Sequence, residues 1–204
     1  MINNRRRTCK RIGIYSGTFN PVHAGHISFA LQAIDAANLD VVYFMPERHN
    51  RKKTDVAHFG HRVAMLKAAL KPHARLDLLE TEDISFSVER TLPKLQARFK
   101  GKRLVFIIGS DKLRDIGSWP KAEYLLDGYE LVVGIRSKDQ NHIDQLLQDL
   151  PQKPRSVCLI DSYAGSVSSS KIRDALRRQQ ETEGILASVK RYSNQNWLYI
   201  SLAG

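Results

Sequence analysis

Two histidines three residues apart follow the first apolar run of the chain, and their side chains suit phosphate chemistry. The segment GTFNPVHAGH, residues 17–26, comes directly after RIGIYS and leads into a helical pattern. At the first turn of a helix, His23 and His26 lie on one side, beside backbone N–H groups that attract anions. Phosphoryl and nucleotidyl transfer both need donors aimed at the oxygens that gain charge, and little covalent chemistry from the protein. The spacing therefore predicts a phosphate site at this loop.

A second polar run, VSSSKIR at residues 167–173, stands after the last predicted strand. Its serines offer an N-cap and hydroxyl donors, the helix start offers N–H groups, and Arg173 adds a forked cation. Taken alone, such a run is more typical of an ordinary capped helix with a surface arginine. Its significance depends on whether the fold brings it to the two histidines.

The charge of the chain predicts anionic partners. The 204 residues carry a formal net charge of +11, concentrated in three clusters. These clusters are Arg5, Arg6, Arg7, Lys10 and Arg11; Arg48, Arg51, Lys52 and Lys53; and Lys171, Arg173, Arg177 and Arg178. Nucleic acids and phosphorylated small molecules both fit such a charge.

Other classes of protein are disfavoured by the composition. The two cysteines, Cys9 and Cys158, lack the spacing of a disulfide framework or a zinc site. No apolar run approaches the roughly 20 residues of a membrane span, and the N-terminus lacks the apolar region of a signal peptide. We therefore expect a cytoplasmic protein with no membrane partner.

The elements that must position these residues alternate along the chain. Strand patterns occur at residues 11–16, 40–45, 75–79, 103–108, 130–134 and 157–161. Helical patterns occur at 23–38, 58–71, 88–99, 121–126, 143–150, 169–180 and 186–192. This alternation predicts a doubly wound α/β fold with a mainly parallel sheet and a helical C-terminal subregion from about residue 162. We expect a basic extension at residues 1–10 and one domain at 11–204. Ligands of such sheets bind beyond the carboxyl ends of the strands, where both polar runs lie.

The two polar runs also carry a family resemblance. GTFNPVHAGH resembles the (H/T)xGH signature of the nucleotidyltransferase superfamily, and VSSSKIR resembles its ISSTxIR signature. The resemblance implies a Rossmann-like fold, with His23, His26 and Arg173 as catalytic residues and Mg²⁺ accompanying ATP. It implies ATP contacts from Gly17, Thr18, Phe19, His23, His26, Gly109, Asp111, Ser168, Ser169, Ser170 and Arg173.

Further segments are similar to the bacterial nicotinate-mononucleotide adenylyltransferase family. They are HRVAMLKAA (61–69), ISFSVERTL (84–92), FIIGSDKLRDIGSW (106–119) and SVKRYSNQNWLY near the end, in the family's order. The resemblance implies that the chain transfers the adenylyl group of ATP to nicotinate mononucleotide. It implies substrate contacts from Asn20, Lys53, Ser85, Ser87, Trp119 and Arg136. The ring of Trp119 suits stacking on a pyridine face, and the alternative is packing under the helix that follows it.

The chain also departs from this family, which keeps alternatives open. Ser16 and Asn20 stand where glycine and aspartate are usual, and RHNRKKT at residues 48–54 replaces a loop with paired prolines. The acceptor could therefore be nicotinamide mononucleotide or another phosphomonoester. A nucleic-acid-binding protein without catalysis fits the net charge, but retention of both polar runs argues against it. The oligomeric state, a homo-oligomer included, stays open.

Overall fold

The computed structural model describes residues 11–48, 55–135, 141–161 and 167–200. The six strands are β1 (Arg11–Gly17), β2 (Val41–Pro46), β3 (Leu76–Leu78), β4 (Arg103–Gly109), β5 (Glu130–Ile135) and β6 (Ser156–Asp161). Each matches a predicted strand to within one residue at either end. The strands are rich in β-branched and aromatic residues, which suit a pleated and buried surface.

The strands form a single six-stranded sheet in the order β3-β2-β1-β4-β5-β6. Every neighbouring pair is parallel, and the pairing of β1 with β4 runs from Arg11 opposite Arg103 to Tyr15 opposite Ile107. The direction of winding reverses between β1 and β4, so the connections that leave these two strands diverge. Such a switch point leaves a crevice at the carboxyl ends of the strands. The predicted doubly wound fold is therefore confirmed.

Eight helices lie in the described ranges. They are α1 (Ala24–Ala36), α2 (Phe59–Leu70), α3 (Thr91–Arg98), α4 (Ser110–Ile116), α5 (Ala122–Gly128), α6 (Ile143–Gln148), α7 (Ser169–Arg177) and α8 (Ala187–Gln195). The sequence pattern predicted all of them except α4, which begins directly after β4. With seven residues, α4 completes barely two turns and is too short to show a helical period.

The helices cover both faces of the sheet. Residues of α1, α2 and α8 share one apolar cluster with Val105 and Ile107 of β4. Residues of α3, α4, α5 and α6 share the other with Leu104 and Phe106. Alternate side chains of a strand point to opposite faces, so the continuously apolar strands are explained by burial on both sides.

The last helix, α8, packs against the preceding part of the fold. Helix α8 packs against α2, where the hydroxyl of Tyr192 lies 3.1 Å from Nδ1 of His61. The predicted helical C-terminal subregion is therefore present as α7 and α8. Within the described ranges, no helix has the length and apolarity needed to cross a membrane. The basic extension at residues 1–10 lies outside the described residues and stays a prediction.

Candidate active site

The first polar loop leaves the carboxyl end of β1 at the switch point of the sheet. A Cβ atom on Gly17 would lie 3.1 Å from the ring of Phe19, so a side chain at this position would crowd the loop. The Phe19 ring is buried and meets the rings of Tyr15 and His26 edge-on, with centroids 5.4 and 5.1 Å away. Any contact of Phe19 with ATP would therefore come from its backbone.

The two histidines lie side by side where α1 begins. Their ring centroids are 3.7 Å apart, and the planes are inclined by 34°. The backbone N–H of His23 donates to Nδ1 of His26 at 3.2 Å. Because Nδ1 accepts this bond, a neutral His26 carries its proton on Nε2, which acts as a donor. The spacing thus placed both imidazoles together, as expected from the sequence.

One backbone donor at the start of α1 is already engaged. The N–H of Ala24 donates to the carbonyl of Gly184 at 2.8 Å, so the C-terminal region reaches this helix end. Gly184 adopts a φ of +80°, and a Cβ there would collide with Val167. The expectation of open N–H groups beside the histidines therefore does not hold for Ala24.

The second polar run meets the first loop in space. The hydroxyl of Ser169 donates to the carbonyl of Pro21 at 2.9 Å, and Nη1 of Arg173 donates to the carbonyl of Asn20 at 2.9 Å. Ser168 caps α7 by accepting from the N–H of Lys171 at 3.2 Å. Ser170 is exposed beside them. The fold thus unites the two motifs, although about 150 residues separate them in the chain.

Asn20 stands where aspartate is usual in the family. Its side chain hydrogen-bonds the first polar loop to residues 55–57 and to Tyr199. Its side chain is 2% exposed. Its Nδ2 donates to the carbonyl of Asp55 at 2.8 Å, and its Oδ1 accepts from the N–H of Ala57 at 3.0 Å and from the hydroxyl of Tyr199 at 2.7 Å. An aspartate could not donate to the Asp55 carbonyl, which explains the amide in this chain. Burial raises the pKa of Tyr199, which keeps its hydroxyl protonated as a donor. That Asn20 contacts the substrate stays a prediction.

Arg62 supports the same loop from α2 and was missed by the sequence analysis. Its guanidinium is 1% exposed and donates to the carbonyls of Thr18 at 2.7 Å, Arg48 at 2.9 Å and Ala57 at 3.0 Å. It thus joins the first polar loop to the residues on either side of 49–54. Burial lowers the pKa of this guanidinium.

A signal for Arg62 was available in the sequence. The buried positions of α2 include Arg62, Met65, Leu66 and Ala69, which are spaced i, i+3, i+4 and i+7. An arginine on the apolar stripe of a helix indicates a buried cation with specific partners.

Two of the residues expected to contact ATP lie at the end of β4. Gly109 precedes α4, and a Cβ atom there would lie 2.5 Å from Oδ1 of Asp111 in the first turn. The carboxylate of Asp111 therefore folds back over the strand end, and glycine leaves it room. Because β4 is the neighbour of β1, both residues flank the crevice beside the first polar loop.

The residues expected to hold the pyridine form a separate group. Phe86 lies between Ser85 and Ser87, and its ring centroid is 5.9 Å from that of Trp119. Ser87 is engaged in the turn before α3: its N–H donates to Oγ1 of Thr91 at 3.0 Å, and its hydroxyl accepts from the N–H of Arg90 at 3.3 Å. The structure thus brings the serine loop and Trp119 together. Lys53 and Arg136 lie outside the described residues.

Comparison with known proteins identifies the family. The profile of the cytidylyltransferase-like family matches residues 14–175. A protein of Bacillus subtilis (strain 168) named nicotinate-nucleotide adenylyltransferase is 31% identical over 199 residues, which is 94% of this chain and 100% of the relative. The chain belongs to the nicotinate-nucleotide adenylyltransferase family. The resemblance found in the sequence is therefore confirmed, and the chain is a nucleotidyltransferase.

Solved structures agree with the fold of this family. A Plasmodium falciparum nicotinic acid mononucleotide adenylyltransferase complexed with NaAD has a TM-score of 0.78 and 21% identity, covering 93% of this chain and 97% of that one. The same enzyme complexed with APC has a TM-score of 0.75, 20% identity and equal coverage. At these identities the likeness confirms the fold, and the roles of single residues in this family member stay predictions.

Proposed function

We propose that this protein transfers the adenylyl group of ATP to nicotinate mononucleotide, giving deamido-NAD and pyrophosphate in NAD biosynthesis. The observation that carries the proposal is the meeting of the two polar motifs at the switch point, through Ser169 on Pro21 and Arg173 on Asn20. That arrangement places two imidazoles and an arginine around one loop, where a polyphosphate needs donors. A cytoplasmic location, expected from the sequence, stays a prediction.

The reaction needs few chemical groups from the protein. The phosphate of the mononucleotide attacks the α-phosphorus of ATP, and pyrophosphate leaves. Nε2–H of His26 donates to an oxygen that gains charge on the transferred group, and His23 lies beside it. Arg173 binds the phosphates of ATP. Mg²⁺ enters as part of the MgATP substrate, since this ion is commonly held by substrate phosphates together with few protein ligands.

We predict that the α-phosphorus is inverted in the reaction. In the second polar run, the hydroxyl of Ser169 donates to the carbonyl of Pro21 and that of Ser168 accepts from the N–H of Lys171. Within the described residues, neither serine is paired with a histidine that would activate it as a nucleophile. A direct attack by the mononucleotide is then the available course, and a single in-line displacement inverts the phosphorus. ATP with an isotopically chiral α-phosphate provides the measurement. Retention of configuration would instead reveal a covalent adenylyl-enzyme.

The acceptor preference is a second prediction of the proposed function. Nicotinate carries a carboxylate where nicotinamide carries an amide. In a site whose backbone N–H groups bind the carboxylate of nicotinate, the NH₂ of nicotinamide would face other donors and stay unpaired. The N–H of Ser87 is used by Thr91, so we expect the donors to be the backbone groups of Ser85 and Phe86. Unpaired buried groups cost roughly 1 to 3 kcal/mol each, so kcat/KM should favour nicotinate mononucleotide by at least about tenfold.

A matched pair of tryptophan variants tests the location of the pyridine. Trp119→Ala removes the ring that we expect to stack on the pyridine, so it should weaken both mononucleotides. Trp197→Ala serves as the control, because Trp197 is 77% exposed. An equal effect of the two variants would remove Trp119 from the pyridine site, and equal use of both mononucleotides would disprove the carboxylate preference.

The experiment that tests the function is a pyrophosphate-release assay with MgATP and a panel of phosphomonoesters. Nicotinate mononucleotide should be the best acceptor, with nicotinamide mononucleotide, phosphopantetheine and ribose 5-phosphate as competitors. A different best acceptor would show that the departures at residues 48–54 have changed the substrate. Absence of release with every acceptor would favour a binding protein that has lost catalysis.

A further inference from the structure

Two arginines of α7 converge on one carboxylate oxygen. Arg173 and Arg177 are four residues apart and therefore lie on the same face of the helix. Nε of Arg173 lies 3.3 Å from Oδ2 of Asp55, and Nη2 of Arg177 donates to the same oxygen. Like charges at this spacing repel each other unless an anion lies between them. The pair is thus arranged around a single anionic oxygen.

This oxygen lies beside the first polar loop. Arg173 also donates to the carbonyl of Asn20 at 2.9 Å, and Asn20 in turn donates to the backbone carbonyl of Asp55 at 2.8 Å. Hydrogen bonding from Arg177 is the main cause that lowers the pKa of Asp55, with further support from Arg173. Asp55 is therefore charged at neutral pH and holds its place next to the loop that bears the histidines.

The carboxylate can be displaced from this position. Its side chain is 58% exposed, so water can solvate it as soon as it leaves the arginines. Ion pairs of this exposure contribute little to stability. A polyphosphate carries more charge than a carboxylate and offers several oxygens to two guanidinium forks, so it should outcompete Asp55.

We propose that Arg177 is a second phosphate-binding cation of the site, and that the carboxylate of Asp55 occupies the position that an oxygen of the ATP polyphosphate takes. The inference rests on the proposed function in that it takes ATP to be the anion. Arg177 then strengthens binding of the polyphosphate, whereas Asp55 weakens it by competing for the same two cations.

The chain offers a matched control for each residue. Arg178 is the next residue along, is exposed and has the same charge as Arg177, so Arg178→Gln controls Arg177→Gln. Asp174 pairs with Arg177 at 2.8 Å through an i,i+3 contact, and in the described part of the chain no ion pair links it to Arg173. Asp174→Asn therefore controls Asp55→Asn, because each removes one charge that contacts Arg177.

Titration calorimetry with inorganic tripolyphosphate tests the proposal without turnover. Arg177→Gln should weaken binding about 5- to 10-fold, and Asp55→Asn should tighten it about threefold, since each changes one charge-assisted contact. Both controls should stay within about twofold of the wild type. In the Arg177→Gln background, Asp55→Asn should tighten binding less than it does alone, because the two residues share one contact.

Specific results would overturn the proposal. If Arg177→Gln matched Arg178→Gln, Arg177 would be a solvated surface residue. If Asp55→Asn weakened tripolyphosphate binding or matched Asp174→Asn, the carboxylate would position Arg173 instead of competing with the ligand. Ribose 5-phosphate is titrated in parallel, and a larger effect on this phosphomonoester would assign the pair to the mononucleotide phosphate. Because tripolyphosphate binding requires no acceptor, a failed pyrophosphate-release assay would leave this test decisive.

Discussion

Replacing His26 with alanine should lower kcat roughly 10²- to 10³-fold, while the KM for ATP changes less than about tenfold. The N–H of His23 fixes Nδ1 of His26 as an acceptor, so the donor at Nε2 is held in place before substrate binds. A preorganised donor acts mainly on charge that develops in the transition state, and its loss therefore appears in kcat. Steady-state kinetics of pyrophosphate release at saturating MgATP measure the effect.

Two isosteric variants separate the roles of the two ring nitrogens. The amide of glutamine places a donor near the position of Nε2, whereas that of asparagine reaches only the position of Nδ1. His26→Gln should therefore retain more activity than His26→Asn. His61→Ala is the control histidine, because His61 contacts Tyr192 between α2 and α8. An unchanged kcat in His26→Ala would exclude this histidine from catalysis, whatever the behaviour of the other variants.

Arg62→Met should lower the free energy of unfolding by about 3 kcal/mol, because three carbonyl groups lose their donor and an unpaired buried group costs about 1 to 3 kcal/mol. One of the three lost hydrogen bonds is buried and two are part-buried. Methionine fills much of the volume of the arginine stem, so the loss reports mainly on hydrogen bonds and not on a cavity. Arg62→Lys should lose less stability, since an ammonium group can still donate to some of the same carbonyl groups. Urea denaturation of the three proteins provides the comparison.

Arg75 provides the control for this variant. Its guanidinium also donates to backbone carbonyls, those of Leu39 and Asp40, but its side chain is half exposed. Water can replace those bonds, so Arg75→Met should cost less than about 1 kcal/mol. Equal losses in Arg62→Met and Arg75→Met would mean that water reaches the carbonyls of Thr18, Arg48 and Ala57 once the guanidinium is gone.

The sheet was predictable because its strands are short, apolar and covered on both faces. The run RLVFII predicted β4 to within one residue, since few other structures bury four apolar residues in succession, as β4 does at residues 104–107. The start of α3 was placed too early at Val88, because the Ser87 side chain caps a turn there that composition does not reveal. The apolar patterns in the sequence thus predicted which segments form the sheet and its helices, whereas a side-chain hydrogen bond determined where α3 begins.

The site was predictable only as far as local motifs reach. The spacing of the histidines predicted the pair at the start of α1, and the family resemblance predicted that Ser169 and Arg173 belong to the same site. No pattern in the sequence predicts the contacts of Asp55 and Tyr199 with Asn20, because these contacts depend on how distant segments pack together. Such long-range polar contacts need coordinates, whereas the apolar stripe of α2 could have indicated Arg62.

The hydrogen bond from Tyr199 to Asn20 joins residues 179 positions apart and has a consequence for folding. Asn20 lies in the loop that leaves β1. The hydrogen bonds of its side-chain amide are complete only when the segment beyond α8 has packed against this loop. Closing so large a loop carries an entropic cost that must be met before its contacts can form. We therefore expect this contact to form late in folding, and we expect a fragment that ends before Tyr199 to lack one of the hydrogen bonds that hold the loop bearing the histidines.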